Sequence, residues 1–449
     1  MTSADLVIRG GTIVTPTSMF SAALTIKDGK IAAITSNENT PSAERVIEAD
    51  GLHVIPGVID VHVHLRDPGM TYKEDFGTGT AAAAAGGVTC VFDMPNNSPP
   101  TANLENLKAK MEAASSKAII DYGLYGLLTV GSLKEVGPLA RAGVIGFKCY
   151  MGETTGKIPP PSDGEILEQF SEVSRLGRRV AVHAENDSII QYRVGKLRSE
   201  GRVYPRAHFE SRPQIVEEEA VERAILYSRD TSCPLHIAHL SSGVGAAVVR
   251  RSKRAGVPVT AETAPHYLVL DDERYPQLGS LMKINPSIKT SDDRARLWDA
   301  INDGTVDMIA TDHSPHTLEE KSSEAIFDNA SGFPGLETMV PLMLTQVNRG
   351  MLSLMKYVKV SSENAARAWK VFPQKGCLEV GSDADITLVD LKARSRIEPS
   401  KFYSKAKWSP FDGFEVEGQP VYTVARGEVV MDHGVVATAP RGKLVVPGV

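Results

Sequence analysis

Cysteine is scarce in this chain. Cys90, Cys149, Cys233 and Cys377 are scattered over 449 residues with no C-x-x-C spacing. That argues against a disulfide framework and for buried free thiols in a reducing compartment. An excess of positive charge is missing too. The formal net charge is -6, which gives no basic footprint for nucleic acid, and no run of Lys or Arg suggests an anionic membrane surface as a partner. No apolar stretch approaches the length of a membrane span, and the first residues lack the charged, apolar, small order of an export signal. A cytoplasmic location is the expectation. What remains is of ordinary globular composition, 42% hydrophobic and 23% charged. It is long enough for one large domain and a smaller one.

The first 50 or so residues read as short strands and turns, with Lys27-Asp28-Gly29-Lys30 as a hairpin signal between alternating runs. The tail has the same texture, in Ile386-Thr387-Leu388-Val389, Val421-Tyr422-Thr423-Val424 and Glu428-Val429-Val430. Neither end is long enough for a core of its own, so the two are expected to pack together. Between them, apolar strand candidates at 58–64, 88–93, 119–127, 144–150, 180–183, 235–239, 257–262 and 306–311 alternate with helix-like segments. The clearest helices are 103–116, 163–176, 214–228, 245–255 and 292–303. Strict alternation points to a parallel sheet, and eight units point to a closed (β/α)8 barrel of the TIM type. The expected division is 1–55 and 375–449 as one small β-sandwich domain built from both termini, with 56–374 as the barrel.

Chemistry concentrates where these strands end. His62 and His64 are one strand period apart and project to the same side, a spacing that suits one metal ion. The fourth strand carries Lys148, the fifth ends in His183, the sixth in His239, and the eighth runs into Asp312. In a barrel these ends form one rim, the rim that carries the active site. Lys148 stands beside Phe147 in an apolar strand, where a charged amine is costly to bury. Desolvation lowers its pKa and leaves a neutral amine able to react with carbon dioxide, giving an anionic carbamate fit to bridge two metals. A lysine paired with a nearby carboxylate is the alternative.

These residues sit in the motifs HVHLRDPG at 62–69, MPN at 94–96, GFK at 146–148, HAEN at 183–186, HLSS at 239–242 and TDHSPHT at 311–317. Over essentially the whole chain the pattern resembles the amidohydrolase superfamily, in its cyclic-amide branch of dihydroorotases, allantoinases and hydantoinases. The resemblance implies a (β/α)8 barrel with a small β domain from both termini. It implies two divalent metals held by His62, His64, His183, His239 and Asp312, with a carboxylated Lys148 as bridging ligand. Zinc is the expected ion from the His-rich set, and manganese or cobalt would fit. Asp312 is then the catalytic proton carrier in metal-assisted hydrolysis of a ring amide. A homo-oligomer, dimer or tetramer, is also implied.

The substrate is read from the letters between the ligands. In dihydroorotases the residues matching Arg66, Asn96 and His316 hold the substrate carboxylate, and the one matching Asn285 contacts the ring. A guanidinium fork fits a planar carboxylate, which a neutral hydantoin ring does not call for; an ion pair with Asp67 or Asp75 is the alternative for Arg66. Other segments lean toward allantoinases and hydantoinases: Ser314, Phe209-Glu210-Ser211-Arg212-Pro213 and Glu262-Thr263-Ala264-Pro265-His266-Tyr267. The tyrosine that D-hydantoinases carry five residues after the lysine is replaced by Glu153. The expectation is therefore dihydroorotate opened to N-carbamoyl-aspartate, with allantoin or a hydantoin as the alternative. A non-catalytic scaffold of the same fold is more remote, because every ligand position is kept.

Overall fold

The computed structural model describes residues 3–152, 154–156 and 158–448. Glu153, and with it the comparison to the D-hydantoinase tyrosine, lies outside the described residues.

Seven strands open the chain: β1 (Ala4–Arg9), β2 (Thr12–Val14), β3 (Met19–Ser21), β4 (Ala23–Lys27), β5 (Lys30–Thr35), β6 (Ala43–Glu48) and β7 (His53–Pro56). The β4–β5 hairpin turns at Asp28 and Gly29, both at positive φ (51° and 76°), as a two-residue turn matched to strand twist requires. The barrel follows: β8 (Val58–Val63), β9 (Val88–Asp93), β10 (Asp121–Leu128), β11 (Gly146–Tyr150), β12 (Val180–His183), β13 (Leu235–Ile237), β14 (Val259–Thr263) and β15 (Met308–Ile309). These eight pair in chain order, each parallel to the next. The seam between first and last is drawn together by a parallel bridge from Val63 to His313 and by His64 N–H donating to His313 O at 2.8 Å.

The connecting helices include Phe76–Ala85, Leu104–Lys117, Asp163–Arg175, Gln214–Thr231, Gly243–Arg254 and Ser291–Asn302. Their starts are marked by side-chain caps, among them Asp75, Asn103, Ser162, Ser242 and Thr290. The alanine run 81–85 is the end of the first of these helices, with Ala82, Ala83 and Ala84 fully buried. Small side chains there let the helix lie close against its neighbours. All four cysteines are buried and free.

The chain closes with β16 (Ile386–Arg396), β17 (Glu415–Ala425), β18 (Glu428–Asp432) and β19 (Val435–Val436). Both ends of the chain meet in a seven-stranded sheet of order β19-β18-β17-β16-β7-β2-β3, which lies beside a four-stranded sheet β5-β4-β1-β6. Leu6, Ile8, Leu24 and Ile26 from the N-terminal strands share one core with Ile386, Leu388 and Val424 from the C-terminal ones. A buried charge cluster fastens this part to the barrel. Lys375 Nζ lies 2.7 Å from Asp121 at the start of β10, 2.6 Å from Asp385 and 3.2 Å from Asp383, and Arg426 reaches Asp121 at 3.0 Å.

Candidate active site

The strand ends carry the predicted groups into one place. His62 leaves β8 with its Nδ1–H donating to the carboxylate of Glu262 on β14, which presents Nε2 to the cavity. His64 donates Nδ1–H to Asn96 Oδ1 at 2.6 Å and likewise presents Nε2. Both Nε2 atoms face one oxygen, Asp312 Oδ1, at 3.3 and 3.1 Å. Beside them His183 gives its Nε2–H to Glu185 at 3.0 Å, while its Nδ1 lies 3.0 Å from His239 Nε2. The His62 and His239 rings stand 5.1 Å apart, so the two groups form one cluster. Lys148 Nζ is fully buried and has no hydrogen-bond or ion-pair partner among the described residues. The carboxylate pairing considered for it from sequence is not made.

Desolvation sets the charge state. Burial and the neighbouring Lys148 bring His62 down to about 4. Burial, then Arg66, holds His64 well below its ordinary value, and burial, then His183, does the same for His239. Burial brings the Lys148 ammonium down to about 8 and pushes the Asp312 carboxyl up. Burial alone would raise Glu262, but His62 and His236 hold it below the usual carboxylate range. The result is neutral imidazole lone pairs and a carboxylate converging on one space, with an amine left uncompensated. That donor set fits divalent cations, and His62, His64 and Asp312 offer ligand atoms within 4.8 Å of one another.

Several supports went unseen at the level of motif. In the sequence Glu262 stands at a strand end and opens the segment 262–267 with no role assigned to it, yet it also accepts from His236 and from the His239 backbone N–H, at 3.0 and 3.1 Å. Its signal was available: it stands at the rim end of the seventh strand, the position that supplies a ligand on other strands. Glu185 lies within HAEN and is braced by Arg212 at 2.6 Å. Glu217, on the helix Gln214–Thr231, accepts from Ser241 N and Oγ at 2.8 and 3.0 Å and from the Ser242 hydroxyl, fixing the turn that presents His239. Within an acidic helical run, nothing distinguishes Glu217 by sequence.

The other predicted residues form the wall facing the cluster. Arg66 is 2% exposed and donates Nη2–H to His316 Nε2 at 3.2 Å, while Nε and Nη1 have no partner among the described residues. Asp67 and Asp75, the alternatives considered for it, pair instead with Lys117 at 2.8 Å and Lys405 at 2.6 Å. His316 is brought down to about 3 by burial, against the pull of Glu320, and so remains a neutral acceptor for Arg66. Asn96 spends its oxygen on His64 and its amide N–H on Thr154 at 3.3 Å. Asn285 lines the cavity with its Oδ1 unpartnered among the described residues. The space these groups enclose is about 50 Å³ and adjoins a cleft of about 780 Å³ at the barrel mouth.

A parallel (β/α)8 barrel with imidazoles, a carboxylate and a desolvated amine gathered on its C-terminal rim defines a class of enzyme with a candidate metal centre. The chain belongs to the amidohydrolase family, whose model matches residues 53–430. A solved structure, the L-hydantoinase (dihydropyrimidinase) from Arthrobacter aurescens, superimposes with a TM-score of 0.97 at 35% identity, covering 99% of this chain and 100% of that one. The allantoinase of Solibacter usitatus is 36% identical over 448 residues, 99% of this chain and 97% of its own length. The dihydroorotase of Methanosarcina mazei is 36% identical over 448 residues, 98% and 97% of the two. Identity is equal across the latter two substrate names and does not discriminate between them.

Proposed function

We propose that this protein hydrolyses a ring C–N bond of a cyclic amide bearing a carboxylate, with dihydroorotate as the substrate and N-carbamoyl-aspartate as the product. The observation that carries this reading is Arg66. A guanidinium buried to 2% exposure with two of its nitrogens unpartnered is poorly compensated unless an anion arrives, and a planar carboxylate matches its fork.

The proposed ligands are His62, His64, His183, His239, Asp312 and Lys148, the last as a carbamate formed when its neutral amine adds to carbon dioxide and releases a proton. Divalent ions held there would supply a nucleophilic water near neutral pH and polarise the scissile carbonyl. The protein's own part is then clear. Glu262, Asn96 and Glu185 fix the tautomers of His62, His64 and His183 through the N–H each accepts. Arg66, supported by His316, anchors the carboxylate and so sets the ring's orientation. Asp312 takes the proton of the attacking water and delivers it to the departing ring nitrogen.

A second reading, a hydantoin- or allantoin-opening enzyme, is favoured by the likeness to the L-hydantoinase structure. Measuring kcat/KM on dihydroorotate, allantoin and hydantoin with the same metal-loaded preparation separates the two. Dihydroorotate is expected to lead. Preference for either neutral ring would replace the first reading by the second, and less than one metal ion per chain would remove both.

A further inference from the structure

One polar group in the cavity has no part in the reaction described above. Tyr150 ends β11 two residues after Lys148, so both side chains leave the strand on one face. The register sets Tyr150 beside His183 of β12, with the two rings 6.2 Å apart. Lys148 Nζ stands 5.2 Å from the centre of the phenol ring. The side chain is buried, and its Oη has no hydrogen-bond partner among the described residues. The Thr154 hydroxyl stands beside Oη outside hydrogen-bonding geometry and accepts from Asn96. A buried phenol with an idle hydroxyl is unfavourable, and for packing alone a phenylalanine would serve better.

Tyr150 belongs to a set. In the same cavity, Arg66 Nε and Nη1, Asn285 Oδ1 and Tyr150 Oη are all buried and, among the described residues, unpartnered. The guanidinium is a donor, the amide oxygen an acceptor, and a phenol at neutral pH a donor. A carboxylated cyclic amide presents the complementary set: a carboxylate, a ring N–H and a carbonyl oxygen. Arg66 and Asn285 match the first two. The carbonyl oxygen is left for Tyr150, whose side chain lines the same cavity as Asp312 and Arg66.

We infer that Tyr150 is a catalytic residue whose phenol O–H donates a hydrogen bond to the oxygen of the carbonyl under attack. This rests on the cyclic-amide reading and adds to it a protein donor for the developing oxyanion. As the water oxygen bonds to carbon, the carbonyl π pair moves onto oxygen and the hydrogen bond from Tyr150 strengthens. When the C–N bond breaks, the pair returns, the ring nitrogen takes its proton through Asp312, and Tyr150 keeps its own. Preorganised donors of this kind act on the transition state more than on bound substrate.

Tyr150→Phe tests it, since the ring and its packing stay. Wild type and variant are compared on dihydroorotate, allantoin and hydantoin, with metal content and melting temperature measured on the same preparations. The expected result is a fall in kcat of about 10²-fold or more, with KM little changed and metal content and melting temperature kept. Unchanged kcat, a rise in KM alone, or a fall in kcat that tracks lost metal or lost stability would overturn the assignment. A wild type inert on all three rings would refute the cyclic-amide reading and this inference with it; an active wild type matched by its variant would refute only the role of the phenol.

Discussion

Arg66 and Glu262 act through opposite kinds of contact. Arg66 keeps two nitrogens free for an incoming ligand, whereas Glu262 is saturated by His62, His236 and the His239 backbone. Their substitutions therefore diverge. Arg66→Met leaves an arriving carboxylate without its partner. A buried, hydrogen-bonded charge pair loses about 2–5 kcal/mol when one side is truncated, so kcat/KM on dihydroorotate should fall by at least about 30-fold. Turnover of a neutral ring should change far less. Glu262→Gln keeps the shape but weakens the acceptor that orients His62. Metal affinity measured by chelator competition should drop about 10- to 100-fold, with the circular dichroism spectrum unchanged. The sequence made Arg66 visible because it sits inside a motif with an interpretable geometry. Glu262 is visible in the sequence as a strand end, but its role is a contact across 200 positions of chain, which no local pattern encodes.

At the scale of elements, all eight barrel strands were legible from apolar runs separated by helical stretches, and the five clearest helices fell within a few residues of their expected bounds. Three strands end short of their expected bounds. The first stops at Val63, the sixth at Ile237 and the eighth at Ile309, so His64 stands just past its strand, and His239 and Asp312 stand in the loops beyond theirs, at φ of 36° and 47°. Alternation of apolar residues does not reveal a left-handed backbone at a non-glycine position; here the surrounding bonds impose it. The loop after β15 is another case. As a long polar segment, 317–332 invites description as a lid, yet buried lysines hold it as a wall. Lys321 donates to Lys283 O and Gly332 O at 2.8 Å each, and Lys283 Nζ donates to Phe327 O at 3.0 Å. Lys321→Met should cost about 1–3 kcal/mol in unfolding free energy. Hydrogen exchange should quicken within 317–332 while the barrel strands keep their protection.

For the molecule as a whole, the small sheets and the barrel share charge as well as apolar surface. Lys375 is buried among Asp121, Asp383 and Asp385, and Lys375→Met would strand those carboxylates. The expected loss is about 3–5 kcal/mol, seen as a lowered midpoint in urea. Buried histidines set the response to acid. His62, His266 and His316 are brought by burial to about 4, 3 and 3 from an ordinary value of 6.5. Between those limits the unfolded chain binds protons that the folded one does not, so stability falls as pH drops from about 6.5 toward 3. In chelator-treated protein, His266→Gln should make that decline shallower, by up to about 1.4 kcal/mol per pH unit. Comparing melting temperatures of the two proteins at pH 6.5 and 4.5 checks the sign.

The barrel's seam is made by the same stretches that carry His64 and Asp312: His64 N–H bonds His313 O, and Asp60 accepts from the Thr311 backbone at 3.1 Å. These contacts join segments about 250 residues apart, the kind of long-range closure that comes late because its loop entropy must be overcome first. Assembly of the reacting centre is thus expected among the last events of folding. In a refolding experiment, enzymatic turnover should return no earlier than the slowest spectroscopic phase, which makes the reaction itself a clock for completion of the native chain.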